Sequence, residues 1–574
     1  MTALSDITFL LNDVLQAPAQ WQALPPFAET DTDLALQVLD EASKFVTSVV
    51  APLQRVGDAV GCRFEAGQVT TPPGFKAAYQ AFWQAGWPSL SCAVEDGGQG
   101  LPAVLEAVLF EMLAGANHGW TMAPGLLHGA YACLKHHGSD ALKDAYLEKI
   151  ATGEWLATMC LTEAQAGSDL GLVRTKGTPV PHATDGSVLV NGSKIFISGG
   201  EHDLSDNIVH LVLARLQEPG KEAPAGPKGL SLFLVPKLRP DGRRNAVVCE
   251  RIEEKMGLHG SPTCVMRFDD AIGWPVGEAH KGLNAMFVMM NAARLHVGLQ
   301  GVGLLEAAWQ KAHAYAQERR QMRAPKSASG PSLINEHPAI RRILDTQRAW
   351  IDGGRVLAYH TALQLDVAAH GTDATQRAVA QRWCALVTPV LKAAMTDQAF
   401  SGASACLQVF GGHGYISEWG IEQIVRDARV AMIYEGTNEI QAIDLLVRKV
   451  LADGGTGITA LLADLPASPQ RDTLVEVTQA LVLAAPSDPA LPYWVADDYL
   501  RALALVLLDW AWDRISANST NCTDARWTDP AQAFHTWVLP ECDMRLAIMR
   551  QRLPQKFIKN KPPVHMAPAL TAID

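Results

Sequence analysis

The spacing of apolar residues changes along the 574-residue chain. Up to about residue 155, apolar residues recur every three to four positions, most clearly in residues 34–50, 75–87 and 103–114. This spacing predicts helices, because it places the apolar side chains on one helical face. We therefore expect an N-terminal helical domain over residues 1–155. The Gly-rich segment Glu95-Asp-Gly-Gly-Gln-Gly-Leu-Pro102 fits a phosphate-binding loop or, more simply, a turn.

From residue 156 to 275 the apolar period shortens towards two, which is typical of strands. Runs of this kind occupy residues 155–162, 187–198, 207–214, 230–235 and 263–269, and Asn191-Gly192 is a hairpin signal. Strands with no helix between them favour a compact, antiparallel, barrel-like β domain over a Rossmann unit.

The helical period returns in long segments between residues 280 and 452. Residues 282–321, 337–369, 373–410 and 438–451 predict an antiparallel four-helix bundle. After the linker-like Asp453-Gly-Gly-Thr-Gly457, residues 458–574 are again helical in pattern. They are expected to form an additional helical domain that buries Trp494, Trp510, Trp512 and Trp537. The predicted fold class is thus α+β.

Composition narrows the possible functions. The net charge of −12 argues against a nucleic-acid-binding chain. The ten cysteines are scattered without a CxxC pair, so we expect reduced thiols in a cytoplasmic protein and no metal site. The first residues lack the basic and apolar regions of a signal peptide. No apolar run is long enough to predict a membrane span.

A single carboxylate, Glu435, follows the apolar run Val430-Ala-Met-Ile-Tyr434 and precedes a Gly-Thr turn. Asn438 is the expected cap of the next helix, with Gln441 three residues on. Burial would raise the pKa of Glu435, while the positive end of that helix would lower it. The residue fits either a general base or a capping glutamate.

Five motifs in consistent order resemble those of the acyl-CoA dehydrogenases over residues 40–451. They are residues 159–169 (MCLTEAQAGSD), 194–200 (KIFISGG), 318–321 (ERRQ), 408–414 (QVFGGHG) and 434–437 (YEGT). The length and the 458–574 extension resemble the longer subgroup, which includes 3-methylmercaptopropionyl-CoA dehydrogenases.

The resemblance implies FAD as cofactor and Glu435 as catalytic base. It assigns flavin contacts to Met159, Leu161, Thr162, Gly167, Ser168, Phe196, Ile197, Ser198, Arg319, Gln408, Gly411, Gly412, Thr437 and Glu439. Arg319 would meet the flavin pyrophosphate of a neighbouring subunit, and the fork of guanidinium donors suits that group. Phe196 and Ser198 stand where many relatives carry Trp and Thr.

Substrate contacts are implied for Ser168, Asn291, Arg294, Tyr434, Glu435 and Gly436. Arg294 would anchor the CoA portion. A minority of the family places its base immediately before this arginine, where the present chain has Ala293. Glu435 is therefore the carboxylate that matches the family's base.

The implied reaction converts an acyl-CoA thioester to the trans-2-enoyl-CoA and passes electrons to electron-transferring flavoprotein. The acyl group stays open between 3-methylmercaptopropionyl and fatty acyl chains. An acyl-CoA oxidase that uses oxygen is an alternative. A flavin-containing nucleic-acid-binding paralogue is disfavoured by the acidic charge and by Glu435, and a purely structural protein by the complete flavin loops. The family resemblance also implies a homodimer.

Overall fold

The computed structural model describes residues 4–218, 220–221, 223–325, 327, 329–519 and 525–554. The N-terminal region is helical, as its apolar period predicts. Its helices are α1 Leu4–Phe9, α2 Ala17–Gln22, α3 Thr32–Phe45, α4 Gln54–Val60, α5 Phe75–Gln84, α6 Ala103–Thr121, α7 Leu127–His137 and α8 Asp140–Ala151. A small hairpin of β1 (Arg63–Glu65) and β2 (Gln68–Thr70) interrupts them.

The Gly-rich segment before α6 is a turn packed against the preceding chain. The backbone N–H of Gly98 donates to the Ala93 carbonyl at 2.9 Å. A Cβ atom added to Gly98 would lie 2.0 Å from the Cys92 carbonyl oxygen. The close approach leaves no space for a phosphate at this glycine, so the segment is a turn and not a phosphate-binding loop.

The middle region forms a small closed β-barrel. Its strands are β3 Leu156–Cys160, β4 Lys176–Pro179, β5 Val188–Ser198, β6 Ile208–Leu216, β7 Leu230–Pro236, β8 Val247–Ile252 and β9 Thr263–Val276. Pairing runs β4-β5-β9-β7-β6 and back to β4, with β3 added to β6 and β8 added to β9. Phe233 and Phe268 fill the interior. Closure removes most unpaired strand edges.

The strand prediction missed β4 and β8, and two of its other details are wrong. The sheet is not purely antiparallel, because β3 and β4 both run parallel to β6. Asn191-Gly192 is not a hairpin turn but lies inside β5, at a register shift against β9. A Cβ atom on Gly192 would lie 2.4 Å from Thr175 Oγ1, so glycine is needed for close approach. Asn191 is occupied by hydrogen bonds with Asp270.

Long helices form the bundle predicted after the barrel. They are α9 Gly282–Glu318, α10 Pro338–His370, α11 Ala374–Val409, α12 Ile421–Ala428 and α13 Asn438–Ile443, which a π-helical segment, Asp444–Val450, continues. Asp373 fixes the start of α11 by accepting a hydrogen bond from Thr375 N at 2.8 Å. The short α12 was not predicted, and it lies between α11 and the segment that carries Glu435.

The C-terminal helices are α14 Thr456–Ala463, α15 Pro469–Ala484, α16 Leu491–Ser519, α17 Ala525–Ala533 and α18 Pro540–Arg552. Trp510 and Trp512 of α16 are buried as predicted. Trp494 and Trp537 are not, being 68% and 50% exposed. Arg552 stacks on Trp494, and Arg342 stacks on Trp537 at 4.0 Å, so these rings serve surface cation–π contacts.

A buried ionic network joins three helices of the molecule. The Arg355 guanidinium of α10 lies 2.6 Å from Glu111 of α6 and 3.0 Å from Glu306 of α9. The largest cluster of buried apolar residues likewise extends from α1 through the bundle to α18. The predicted division into domains 1–155, 156–275, 280–452 and 458–574 stays a prediction, since the helical parts share one core.

Candidate active site

Glu435 lies in a sharp loop between α12 and α13. Its φ is 56°, in the left-handed region that costs a non-glycine residue conformational energy. Gly436 follows with φ 85°. A Cβ atom on Gly436 would lie 2.8 Å from the Gln441 side-chain nitrogen, which donates to the Glu435 carbonyl at 3.0 Å. Surrounding contacts therefore hold the strained turn in place.

The cap of α13 is Thr437 and not the predicted Asn438. The Thr437 side chain accepts a hydrogen bond from Ile440 N at 3.4 Å. Asn438 is buried instead and donates to Asp397 at 2.6 Å. Its side-chain oxygen accepts a hydrogen bond from Lys392 Nζ at 2.8 Å. Asn438 thus fastens the loop to α11, which leaves the capping position to its neighbour.

Burial dominates the electrostatics of Glu435. Its Oε2 atom is buried and has no hydrogen-bond partner among the described residues. Burial raises the pKa of Glu435 to about 7, against the opposing effect of the Arg294 and Lys392 charges. A carboxyl group with such a pKa can accept a proton near neutral pH.

Arg294 and Asn291 reach this loop from α9. Arg294 is buried, with Nη1 3.2 Å from Asn291 Oδ1 and 3.6 Å from Asp444 Oδ2. The charge of Arg294 acts on Glu435, so the structure brings these two predicted residues together. Ala293 is buried beside Arg294 and offers no carboxylate at the alternative position. The role of Arg294 as a CoA anchor stays a prediction.

Tyr434 ties the loop to the N-terminal helices. Its hydroxyl donates to Gln300 Oε1 of α9 at 2.6 Å and lies 3.3 Å from His118 Nε2 of α6. Burial lowers the pKa of His118 to about 4, so this imidazole is neutral at pH 7. The side of Glu435 towards α6 therefore carries neutral polar groups.

The first predicted flavin loop is held against β5 by a buried ion pair. Lys194 Nζ lies 2.9 Å from both the Leu161 carbonyl and Glu163 Oε1. Glu163 also accepts hydrogen bonds from Thr175 N and Thr175 Oγ1. Ile195 N donates to the Thr162 carbonyl at 2.9 Å, so the loop and the KIFISGG strand lie side by side.

The predicted flavin residues in this region differ in exposure. Phe196 has φ 60° and is 60% exposed, while Gly167 and Ser168 are also exposed. Leu161, Thr162 and Ser198 are partly exposed. Met159 and Ile197 are instead buried in two hydrophobic cores. The Ile197 side chain points into the barrel, and the flavin contact assigned to this residue stays a prediction.

The second group of predicted flavin residues lies where α9 and α11 end. Tyr315, one turn before Arg319, stacks on Phe410 at 4.3 Å and its hydroxyl lies 2.9 Å from His413 Nδ1. These contacts bring the Arg319 and QVFGGHG motifs together. Arg319, Gln408, Gly411 and Gly412 are exposed.

The residues present fit a flavin adenine dinucleotide. Cβ atoms added to Gly167, Gly411 and Gly412 would meet nothing within 4 Å, so the backbone is open to a phosphate. Arg319 has no side-chain partner among the residues that the structure describes, and its guanidinium is available for an anion. Glu439 is exposed, but Thr437 is engaged as a cap and in a hydrogen bond to Glu439, which lowers the pKa of Glu439.

Sequence reasoning missed Lys392, Lys194, Gln300 and Asp444. Lys392 did carry a signal, since it is the charged residue in the otherwise uncharged run Cys384-Ala-Leu-Val-Thr-Pro-Val-Leu-Lys-Ala-Ala-Met395. A lysine placed in such a run is either paired or functional. Gln300 and Asp444 gave no comparable signal, because their partners are distant in sequence.

Comparison with known proteins agrees with this geometry. Residues 32–154, 158–271 and 280–450 match the N-terminal, middle and C-terminal domains of acyl-CoA dehydrogenases. The chain is 46% identical over 456 residues to 3-methylmercaptopropionyl-CoA dehydrogenase of Ruegeria pomeroyi, over 78% of this chain and 76% of that protein. It is 36% identical over 454 residues to broad-specificity linear acyl-CoA dehydrogenase FadE5 of Mycobacterium tuberculosis, over 75% and 72% respectively.

Two solved structures share the fold over most of the chain. They are Caenorhabditis elegans ACDH-11 in complex with C11-CoA (TM-score 0.74, 20% identity, 94% of this chain and 91% of that one) and an acyl-CoA dehydrogenase complexed with FAD from Bacillus anthracis (TM-score 0.74, 21% identity, 92% and 89%). The predicted α+β class is confirmed. The chain belongs to the acyl-CoA dehydrogenase family, and it is an oxidoreductase acting on acyl-CoA.

Proposed function

We propose that this protein catalyses the FAD-dependent α,β-dehydrogenation of an acyl-CoA thioester, with Glu435 as the base. The observation that carries the proposal is the buried Glu435 carboxylate, whose Oε2 has no partner among the described residues. Its pKa of about 7 leaves a large fraction ionised at neutral pH. A thioester α-proton is weakly acidic, so its removal needs a positioned base.

The residues of the loop divide the chemistry between them. Glu435 accepts the α-proton on its carboxylate. The backbone N–H of Glu435 has no acceptor within the described part of the chain, and a thioester oxygen placed there would gain a hydrogen bond as negative charge develops on it. When bound, FAD supplies the acceptor for the hydride that leaves the β-carbon. Tyr434 and Gln300 keep the loop oriented.

The 46% identity to 3-methylmercaptopropionyl-CoA dehydrogenase supports 3-methylmercaptopropionyl-CoA as substrate. A linear fatty acyl-CoA is the second candidate, because FadE5 is 36% identical and is named for broad specificity. Membership of the family supports electron-transferring flavoprotein as acceptor. Exposed Ser168 and partly exposed Gly436, which follows Glu435, are proposed to contact the substrate, together with Asn291 and Arg294.

We propose that the protein acts as a cytoplasmic homodimer. Met322, Tyr415 and Ile416 are exposed apolar residues that adjoin the Arg319 and QVFGGHG motifs. Exposed apolar residues of this kind favour contact between subunits. The described cysteines are free, which fits a reducing compartment. No helix of the described residues is both long and apolar enough to cross a membrane.

Anaerobic flavin bleaching tests the proposed reaction. FAD-loaded protein is mixed without oxygen with 3-methylmercaptopropionyl-CoA and with acyl-CoAs of short, medium and long chains. We expect the flavin absorbance to bleach with at least one substrate and an enoyl-CoA to form in equal amount. Intact flavin absorbance with the whole panel would contradict the proposal. Subsequent release of peroxide in air at the full turnover rate would assign oxygen as acceptor.

A further inference from the structure

Lys392 is a buried cation in contact with the loop that carries Glu435. It lies on α11, where its side chain is fully enclosed, 0% exposed. Its Nζ atom donates to the Gly436 carbonyl at 2.8 Å and to Asn438 Oδ1 at 2.8 Å. A buried ammonium is costly unless its donors and charge are matched. Both of these contacts lie within three residues of Glu435.

Lys392 contacts a loop whose backbone conformation is intrinsically unfavourable. Glu435 and Gly436 both have positive φ, and the Glu435 conformation is uncommon for a residue with a side chain. The Gly436 carbonyl accepts hydrogen bonds from Lys392 and, at 3.3 Å, from Gln441. Asn438 adds a bond to Asp397 on α11. Hydrogen bonds with Lys392 and Asp397 therefore attach the loop to α11.

The charges around Lys392 and Glu435 come from several elements. Lys392 on α11 and Arg294 on α9 are the cations that act on the Glu435 carboxylate. Lys392 itself faces the carboxylates of Glu435, Asp397 and Glu439, and the Arg294 guanidinium. Burial lowers the pKa of Lys392 to about 8, and those carboxylates oppose the decrease. Lys392 is thus predominantly charged at pH 7.

We propose that Lys392 is a positioning residue for Glu435: its ammonium fixes the Gly436–Asn438 backbone and supplies a positive charge that favours the ionised base. The inference rests on the proposed function, in which Glu435 removes the α-proton. Lys392 is enclosed and contacts the loop, so its effect should fall on kcat and on the pH dependence of kcat. The KM for acyl-CoA should change little.

The test compares the pH profiles of kcat for Lys392→Met and Lys392→Gln with that of the unchanged FAD-loaded protein. Loss of a nearby opposite charge raises a carboxyl pKa by roughly 1 unit or more. The acid limb of both variants should move up by that amount, which lowers kcat about fivefold at pH 7. At pH 9 Lys392→Gln should recover more than Lys392→Met, since glutamine keeps a donor for the loop.

Lys311→Met is the matched control. Lys311 lies on α9 beside Gly420, and burial also lowers its pKa. The acid limb of this variant should stay in place, which would show that loss of a partly buried lysine elsewhere on the bundle does not shift the profile. Glu435→Gln separates the two proposals, because full activity of that variant would overturn the proposed function itself.

Three results would overturn the Lys392 inference. The first is that Glu435→Gln is inactive while both Lys392 variants keep the pH profile of the unchanged protein. In that case Glu435 would remain the proposed base, but Lys392 would have no role in positioning it. An increase in KM at constant kcat would place Lys392 on the substrate side. Loss of bound FAD or of folding in both Lys392 variants would assign the lysine to the core.

Discussion

Replacing Glu435 with glutamine should stabilise the folded protein, and the gain should grow with pH. Burial raises the pKa of Glu435 from its usual 4.5 to about 7. Below pH 4.5 the carboxyl group is protonated in both the folded and the unfolded chain, so folding gains nothing from the substitution. Between pH 4.5 and 7 the unfolded chain ionises first, and the native protein loses stability as pH rises. The pKa difference sets an upper bound of about 3 kcal/mol.

Thermal unfolding of the FAD-loaded protein and of Glu435→Gln between pH 5 and pH 8.5 measures this effect. We expect nearly equal Tm values at pH 5 and a variant that is more stable by a few °C at pH 8. Glu439→Gln is the control, because Glu439 is exposed and its pKa is lowered. That variant should show no gain. A Tm difference for Glu435→Gln that stays constant or shrinks with pH would refute the burial argument.

Three further predictions follow from the described contacts. The kcat of the unchanged protein should fall about tenfold per unit below pH 7, because the base must be ionised and the pKa of Glu435 is about 7. Arg355→Met should lower the free energy of unfolding by about 3–5 kcal/mol, measured by denaturant titration, because it removes the cation paired with buried Glu111. Lys194→Met should weaken FAD binding at least tenfold in a flavin titration, because Lys194 on β5 holds the first predicted flavin loop in place through its ion pair with Glu163.

Control substitutions at exposed residues test whether these effects depend on the buried contacts. Arg267→Met removes an exposed ion pair with Glu250 and should change the unfolding free energy by less than about 1 kcal/mol. A similar loss for Arg267→Met and Arg355→Met would contradict the network argument. Lys176→Met changes an exposed lysine on β4 and should leave the FAD affinity intact. A kcat that is level from pH 5.5 to 8 would contradict the assigned pKa of Glu435.

The long helices of the fold were predictable because their apolar residues repeat with the helical period over many turns. Helices α9, α10 and α11 contain 37, 33 and 36 residues and repeat the helical period many times. Strand β4 was missed because its four residues, Lys176–Pro179, include a proline and alternate too briefly. Asn191-Gly192 was misassigned because its conformation depends on Thr175, which is distant in sequence and lies immediately before β4.

The site was predictable to the extent that contiguous motifs describe it. Glu435 and its loop could be located from the apolar run and the Gly-Thr turn. Lys392 could not be placed beside Glu435, because its contact with Gly436 joins residues that are 44 positions apart. The same holds for Tyr434 and Gln300, which are 134 positions apart. The packing of α9 and α11 against the loop shows which charged side chains act on the pKa of Glu435.

The most direct test of the proposed chemistry is the anaerobic rate of flavin reduction in Glu435→Gln. Protein with a full complement of FAD is mixed with saturating acyl-CoA, and the loss of flavin absorbance is followed in a single turnover. We predict a decrease of at least about 10²-fold relative to the unchanged protein, because a general base contributes roughly 10²–10⁴ to the rate. A rate within a few-fold of the unchanged protein would contradict the assignment of Glu435 as the base.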